Sequence, residues 1–181
     1  MAAAVAQADA LADPRVTAYA YAAAAMGAMF AQRPGAADLA ARGVAAGAEA
    51  RDWWGFVHAS LWEANALAPS GMAQWAHCLQ ARRVQLESLG APHPYLAWMS
   101  AVEAHSLLGA GDWRGCGERL RVALGSDPGT GADVMARLTA ARLATHQGRQ
   151  REAEAHLARA EELFADTTDF LAFQFDAVRA M

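Results

Sequence analysis

Four glycines, Gly35, Gly71, Gly111 and Gly148, recur along the chain at intervals of 36, 40 and 37 residues. Intervals of this size are typical of helical-repeat proteins, in which each repeat is a pair of helices joined by a turn. The segments between these glycines suit helices, because Ala, Leu, Arg, Glu, Gln and Met fill them and β-branched residues are few. We therefore predict an all-α fold of about four antiparallel helical hairpins with a turn at each of these register glycines.

A small residue stands at a fixed distance from every register glycine, on both sides of the turn. Small residues allow two helix backbones to approach closely, so we expect these positions to lie where the two helices of a hairpin meet. Seven residues before the register glycines stand Ala28, Ala64, Ala104 and Ala141. Five residues after them stand Ala40, Ala76, Cys116 and Ala153. We call these two sets the small-residue columns.

Charge and composition exclude several classes of partner for this segment. Fifteen arginines and no lysine stand against 19 acidic residues, and the net charge of -4 argues against direct nucleic-acid binding. No stretch has the length and apolarity of a membrane span, and no secretory signal opens the chain. Cys78 and Cys116 are too far apart for a CxxC metal site. We expect a cytoplasmic protein without membrane contact.

The first helix of each hairpin should line the concave side of a stack of hairpins. Positions six and thirteen residues before the register glycines lie two turns apart on one face of these first helices. In the middle of the chain these positions carry aromatic and polar side chains, and all six tryptophans cluster there. The candidate ligand-binding residues are His58, Trp62, Asn65, Trp98, His105 and Arg142.

These residue types suit a ligand with an apolar body and a few polar or anionic atoms. Trp98 offers a stacking surface, Asn65 and His105 offer hydrogen bonds, and Arg142 offers a partner for a carboxylate or phosphate. The alternative is that Trp98 packs between repeats and that the polar residues are simply solvated.

No pattern for catalysis or for a metal is present in the chain. It lacks HExxH, GxSxG and Gly-rich phosphate-loop motifs. Glu103 and His105 point about 160° apart on a helix, so they cannot act as a dyad. We expect a non-enzymatic protein with no metal and no cofactor. We also expect Trp113 to be buried against the neighbouring hairpin, and one of Trp53 and Trp54 to be exposed.

The third and fourth units resemble tetratricopeptide repeats. The residues that carry the resemblance are Gly111, Trp113, Leu120, Ala123 and Pro128 in one unit, and Gly148, Ala153, Leu157 and Ala160 in the other. The Ala-rich units with drifting periods are similar, more specifically, to the helical-repeat region of large ATP-binding LuxR-type transcriptional regulators. This resemblance implies a right-handed superhelix, formed here by residues 1–181 as one repeat domain, and a place between an NTPase module and a helix-turn-helix domain.

The resemblance implies that the segment senses a small effector or binds a protein or peptide in its groove. Thr168–Met181 is predicted to form the first helix of a fifth unit without a partner helix. The alternative function is therefore a free-standing adaptor or scaffold, which binds other proteins or self-associates through its terminal repeats. Phe170, Phe173 and Phe175 would form the apolar edge of that end.

Overall fold

The computed structural model describes residues 2–125 and 129–164, in which all regular structure is helical. This confirms the all-α class. None of the helices in these ranges has the length and apolarity that a membrane span requires. The predicted terminal helix and its three phenylalanines lie outside the described residues. The helices are α1 (Ala2–Leu11), α2 (Pro14–Phe30), α3 (Ala36–Ala50), α4 (Trp53–Leu67), α5 (Met72–Ser88), α6 (His93–Gly109), α7 (Trp113–Leu124), α8 (Thr130–His146) and α9 (Gln150–Phe164), with a short 3-10 turn at Ala68–Ser70.

The chain forms two compact units, Met1–Ala91 and Pro92–Met181. In the first unit α2 pairs with α3, α4 pairs with α5, and α1 lies against α2. In the second unit α6 pairs with α7 and α8 pairs with α9. The hairpins of a unit also pack on each other, since α4 contacts both α2 and α3, and α8 contacts both α6 and α7. Within the described residues each unit therefore contains two packed helical hairpins. A single domain over residues 1–181 remains a prediction.

The register glycines stand in the turns of these four hairpins, as the sequence predicts. All four have a positive φ, between 71° and 121°. Glycine takes such angles without the steric cost that a Cβ atom imposes on other residues. The glycines thus reverse the chain between the two helices of each hairpin.

The two small-residue columns are buried, as predicted. All eight side chains are buried, and five of them have no exposed surface. In the second unit Ala104 on α6 and Cys116 on α7 belong to one apolar cluster together with Leu120 and Leu143. These small side chains keep the paired helices close enough for the larger apolar residues around them to interlock.

Two helix boundaries carry no Gly or Pro cluster of the kind that marks the other breaks. Arg51 ends α3 with φ 49° in the left-handed region, and Asp52 then begins α4 by accepting a hydrogen bond from the Gly55 N–H at 3.3 Å. Ala12 takes φ 51° between α1 and α2. An aspartate side chain accepts a hydrogen bond from a backbone N–H at the start of a helix. The chain can therefore turn into the next helix at both of these boundaries without a glycine.

Helices α3 and α4 approach each other closely at Gly47. A Cβ atom on Gly47 would lie 2.7 Å from the Phe56 backbone nitrogen and 2.9 Å from its Cα. Gly117 on α7 has room instead, since its nearest neighbour would be a Leu143 methyl at 3.9 Å.

We expect the Gly47→Ala and Gly117→Ala variants to change stability in opposite directions. Alanine in a helix is favoured over glycine by about 1 kcal/mol, so Gly117→Ala should raise the free energy of unfolding by roughly 0.5–1 kcal/mol. Gly47→Ala should lower it by about 1–2 kcal/mol, because α3 and α4 must move apart. Urea denaturation measures both. A stabilised Gly47→Ala protein would contradict the close packing of these two helices.

Candidate functional site

The six predicted site residues divide equally between the two units, and all six are half-buried. His58, Trp62 and Asn65 lie on α4 in the first unit. Trp98 and His105 lie on α6, and Arg142 on α8, in the second unit. Contacts within each unit bring some of these residues close to one another and to residues that the sequence did not indicate.

The first unit carries a partly exposed aromatic face. Trp54, His58 and Trp62 are spaced four residues apart, so they follow one side of α4. The Trp54 and His58 rings lie 4.4 Å apart between centroids, and Phe30 of α2 meets Trp62 edge-on at 5.9 Å. Phe30 is 69% exposed. We call Phe30, Trp54, His58 and Trp62 the aromatic face.

Burial lowers the pKa of His58, so its ring is neutral at pH 7. The aromatic face therefore carries no charge of its own. Trp54 is exposed, as expected for one of the two adjacent tryptophans. Phe30 was not among the predicted site residues, because no offset from the register glycines pointed to it; the structure places it beside one of them.

In the second unit, His105 of α6 lies beside α8, the helix that carries Arg142. The His105 Nδ1 lies 3.5 Å from the hydroxyl oxygen of Thr139, which itself donates a hydrogen bond to the Met135 carbonyl at 2.9 Å. Arg142 follows Thr139 by three residues on the same side of α8. We call His105, Thr139 and Arg142 the cationic face.

Arg142 supplies the positive charge of this face. Burial, and then the nearby Arg142 guanidinium, lower the pKa of His105 to about 4, so the imidazole is neutral at pH 7. Burial, and then the charge of Asp112, raise the pKa of the Cys116 thiol to about 11, and the Arg142 guanidinium opposes them more weakly. Among residues 2–125 and 129–164, Arg142 makes no ion pair with a carboxylate. Within the described ranges, no carboxylate therefore lies at ion-pair distance from the Arg142 guanidinium.

Trp113 is not buried as the sequence predicted. It is 44% exposed and stacks on the exposed His146 of α8, with ring centroids 5.7 Å apart and planes 15° apart. The reason is its place at the start of α7, directly after the capping residue Asp112, where a side chain lies beside the neighbouring hairpin rather than beneath it. His146 follows Arg142 by four residues, so this aromatic pair lies one turn along α8 from the guanidinium.

Each unit also has a cavity that the sequence did not indicate. In the first unit a cavity of about 470 Å³ lies between α1 and α2. In the second, a cavity of about 540 Å³ lies between α7, α8 and α9, with Leu120 and Leu143 in its lining and Arg121, Arg149 and His156 around them. None of the six predicted residues lines either cavity.

The described residues offer no assembled metal site, since no three His, Cys, Asp or Glu side chains within those ranges converge. Burial, with the charge of Glu63, raises the pKa of Cys78 to about 11, so this thiol stays protonated at pH 7. Glu63 itself is held by Arg82 through two contacts of 2.6 Å between α4 and α5. These polar groups pair with one another inside the first unit.

No protein family, curated protein or solved structure shows a match to this chain. The geometry of the two faces is therefore the basis for the function proposed below.

Proposed function

We propose that this chain is a non-catalytic, ligand-sensing helical-repeat segment that binds a small carboxylate-bearing effector on its cationic face. The setting we propose is a cytoplasmic bacterial transcriptional regulator of the large ATP-binding LuxR type, in which the hairpins follow a tetratricopeptide-like right-handed superhelix. No cofactor, metal or direct nucleic-acid contact is part of this proposal. The observation that carries it is the half-buried Arg142 beside a neutral His105, with no carboxylate paired to it among the described residues.

The chemistry of the cationic face favours a carboxylate. A guanidinium presents paired N–H donors that match the two oxygens of a carboxylate. Partial burial strengthens this interaction, because less water competes for the charge. The neutral imidazole of His105 adds a directional hydrogen bond without a second charge.

An aromatic body on the effector fits the surroundings of Arg142. The Trp113–His146 pair offers a flat, exposed surface one turn away on α8. Trp98 precedes His105 by seven residues, so it lies two turns away on the same side of α6. A ligand that bridges α6 and α8 would stiffen the second unit, and would shift a linked domain only through different affinities for two arrangements.

The aromatic face of the first unit favours a second candidate function, that of an adaptor. Phe30 and Trp54 expose large rings beside Trp62 and His58, and exposed aromatic side chains are typical of the centres of protein–protein interfaces. On this reading the aromatic face binds a polypeptide. Loss of peptide binding on Trp62→Ala, with no response to small carboxylates, would favour it.

We expect Arg142→Gln to weaken the binding of an aryl carboxylate at least tenfold. The probe is naphthoate, and its uncharged counterpart naphthamide is the ligand control. The loss follows from removal of a charge-assisted, two-point contact worth about 1.5–3 kcal/mol. Titration calorimetry measures the dissociation constants, and tryptophan fluorescence reports on Trp98 and Trp113.

Arg121→Gln is the matched protein control, because Arg121 is an exposed arginine that lines the cavity between α7, α8 and α9. It should bind naphthoate as the unaltered protein does. Equal losses in the two variants, or equal binding of naphthoate and naphthamide, would show that Arg142 is not the anchor of a carboxylate site.

A further inference from the structure

The cavity between α7, α8 and α9 has an aliphatic interior. Its volume of about 540 Å³ lies within the range of roughly 300–1,000 Å³ that small-molecule pockets have. The buried part of its lining consists of Leu120 on α7 and of Ala140 and Leu143 on α8, with the half-buried Leu124 beside them. Among the described residues, no Phe, Tyr or Trp lines the cavity. This interior therefore suits a saturated hydrocarbon chain better than a flat aromatic ring.

Gly117 also lines this cavity, and neither the backbone nor the helix packing requires a glycine there. Its φ is not positive, and it lies in the interior of α7, where glycine is less favourable than alanine. Among the described residues, a Cβ atom at this position would meet only a methyl group of Leu143, at 3.9 Å. The missing side chain thus leaves space beside Leu143, within the cavity.

The outer part of the lining is charged. Arg149 of α9 forms an ion pair with Glu152, so these two charges offset each other. Burial, and then the nearby Arg137 guanidinium, lower the pKa of His156, so this imidazole is neutral at pH 7. Arg121 lies on the α7 side, and no carboxylate in the described part of the chain is at ion-pair distance from it. The lining therefore keeps one positive charge, on Arg121.

We propose that this cavity is a second ligand site, which binds an aliphatic monocarboxylate with its chain against Leu120 and Leu143 and its carboxylate on Arg121. The leucine side chains remove the hydrocarbon chain from water, and the guanidinium matches the carboxylate oxygens with paired N–H donors. A single negative charge on the ligand complements the single positive charge of the lining. This site does not rest on the cationic face, which has tryptophan rings for an aryl body.

Titration calorimetry of the full chain with hexanoate, octanoate and octanamide tests both parts of the ligand. Octanoate should bind about tenfold more tightly than hexanoate, because two more methylene groups are buried. Octanamide keeps the chain and lacks the charge, so it should bind at least about fivefold more weakly than octanoate. Equal affinities for hexanoate and octanoate, or for octanoate and octanamide, would overturn the proposal.

The Gly117→Leu variant tests the location of the chain. Its added side chain should occupy the cavity and weaken octanoate binding at least about tenfold, without lowering the thermal denaturation midpoint, since cavity filling commonly stabilises a protein. Gly131→Leu is the matched control, because Gly131 lies in α8 of the same unit, has equally free space and does not line the cavity. Unaltered octanoate binding by a folded Gly117→Leu protein would contradict the site.

Arg121→Gln and Arg142→Gln separate this site from the cationic face. Arg121→Gln should weaken octanoate binding at least about fivefold and leave naphthoate binding unchanged, and Arg142→Gln should do the reverse. Octanoate binding that depends on Arg142 and not on Arg121 would overturn the second site. Octanoate binding that depends on Arg121, in a protein that does not bind naphthoate, would support this site and contradict the proposed function.

Discussion

Replacement of Ala104 by leucine is expected to destabilise the protein by about 3 kcal/mol, because three additional carbon atoms must enter a packed helix seam. Ala104 has no exposed surface and lies in the apolar cluster shared by α6, α7 and α8. The space can be made only by moving the backbones apart or by forcing neighbours such as Leu120 from their rotamers. Guanidinium denaturation followed by circular dichroism measures the loss.

Ala158→Leu provides the comparison for this seam variant. Ala158 is an exposed alanine within α9 of the same unit, so the same substitution there adds no buried volume. Its effect should stay within about 0.5 kcal/mol, as for most surface changes. If Ala104→Leu cost no more than Ala158→Leu, the small-residue columns would not be close-packing positions.

Loss of the Glu63 carboxylate is expected to destabilise the first unit by about 2–3 kcal/mol, because the Arg82 guanidinium then loses its charged partner. The two side chains are 11% and 26% exposed, so water compensates only part of the loss. Glu63→Gln is the variant, and thermal denaturation is the measurement. The exposed pair Arg114 and Glu118 is the control, and Glu118→Gln should change stability by less than about 1 kcal/mol.

The double variant Glu63→Leu with Arg82→Leu separates pairing from packing. A buried ion pair replaced as a whole by apolar side chains is often close to neutral in stability. We therefore expect the double variant to be more stable than Glu63→Gln. The two single variants for comparison are Glu63→Leu and Arg82→Leu. If the double variant lost as much stability as the two single variants lose together, the charge interaction between the two residues would contribute little.

Much of the fold follows from residues that force a local conformation. The register glycines mark four turns because a positive φ excludes most side chains, and the small-residue columns mark the seams because backbones approach only where side chains are short. The breaks near Ala12 and Arg51 were missed, since aspartate caps and non-glycine residues with a positive φ carry little signal in an Ala-rich chain. These two helix boundaries are identified only from the three-dimensional structure.

The positions of the candidate site residues along each first helix could be predicted from the sequence. Most of the residues that contact them could not. The offsets from the register glycines placed His105 and Arg142 on related faces, and in the structure the charge of Arg142 reaches His105. Thr139, His146 and Phe30 come from packing between helices, which a single sequence does not encode as a pattern. Trp113 shows the limit of composition arguments, because an aromatic residue at a helix start stacks at the surface instead of entering the core.

The most direct test of a carboxylate site on the cationic face is a titration of the isotope-labelled chain with naphthoate, followed through its backbone amide NMR signals. We expect the largest shifts to cluster on the adjoining parts of α6 and α8, around His105, Thr139 and Arg142. Shifts confined to the cavity between α7, α8 and α9, or no saturable shifts at all, would contradict this expectation.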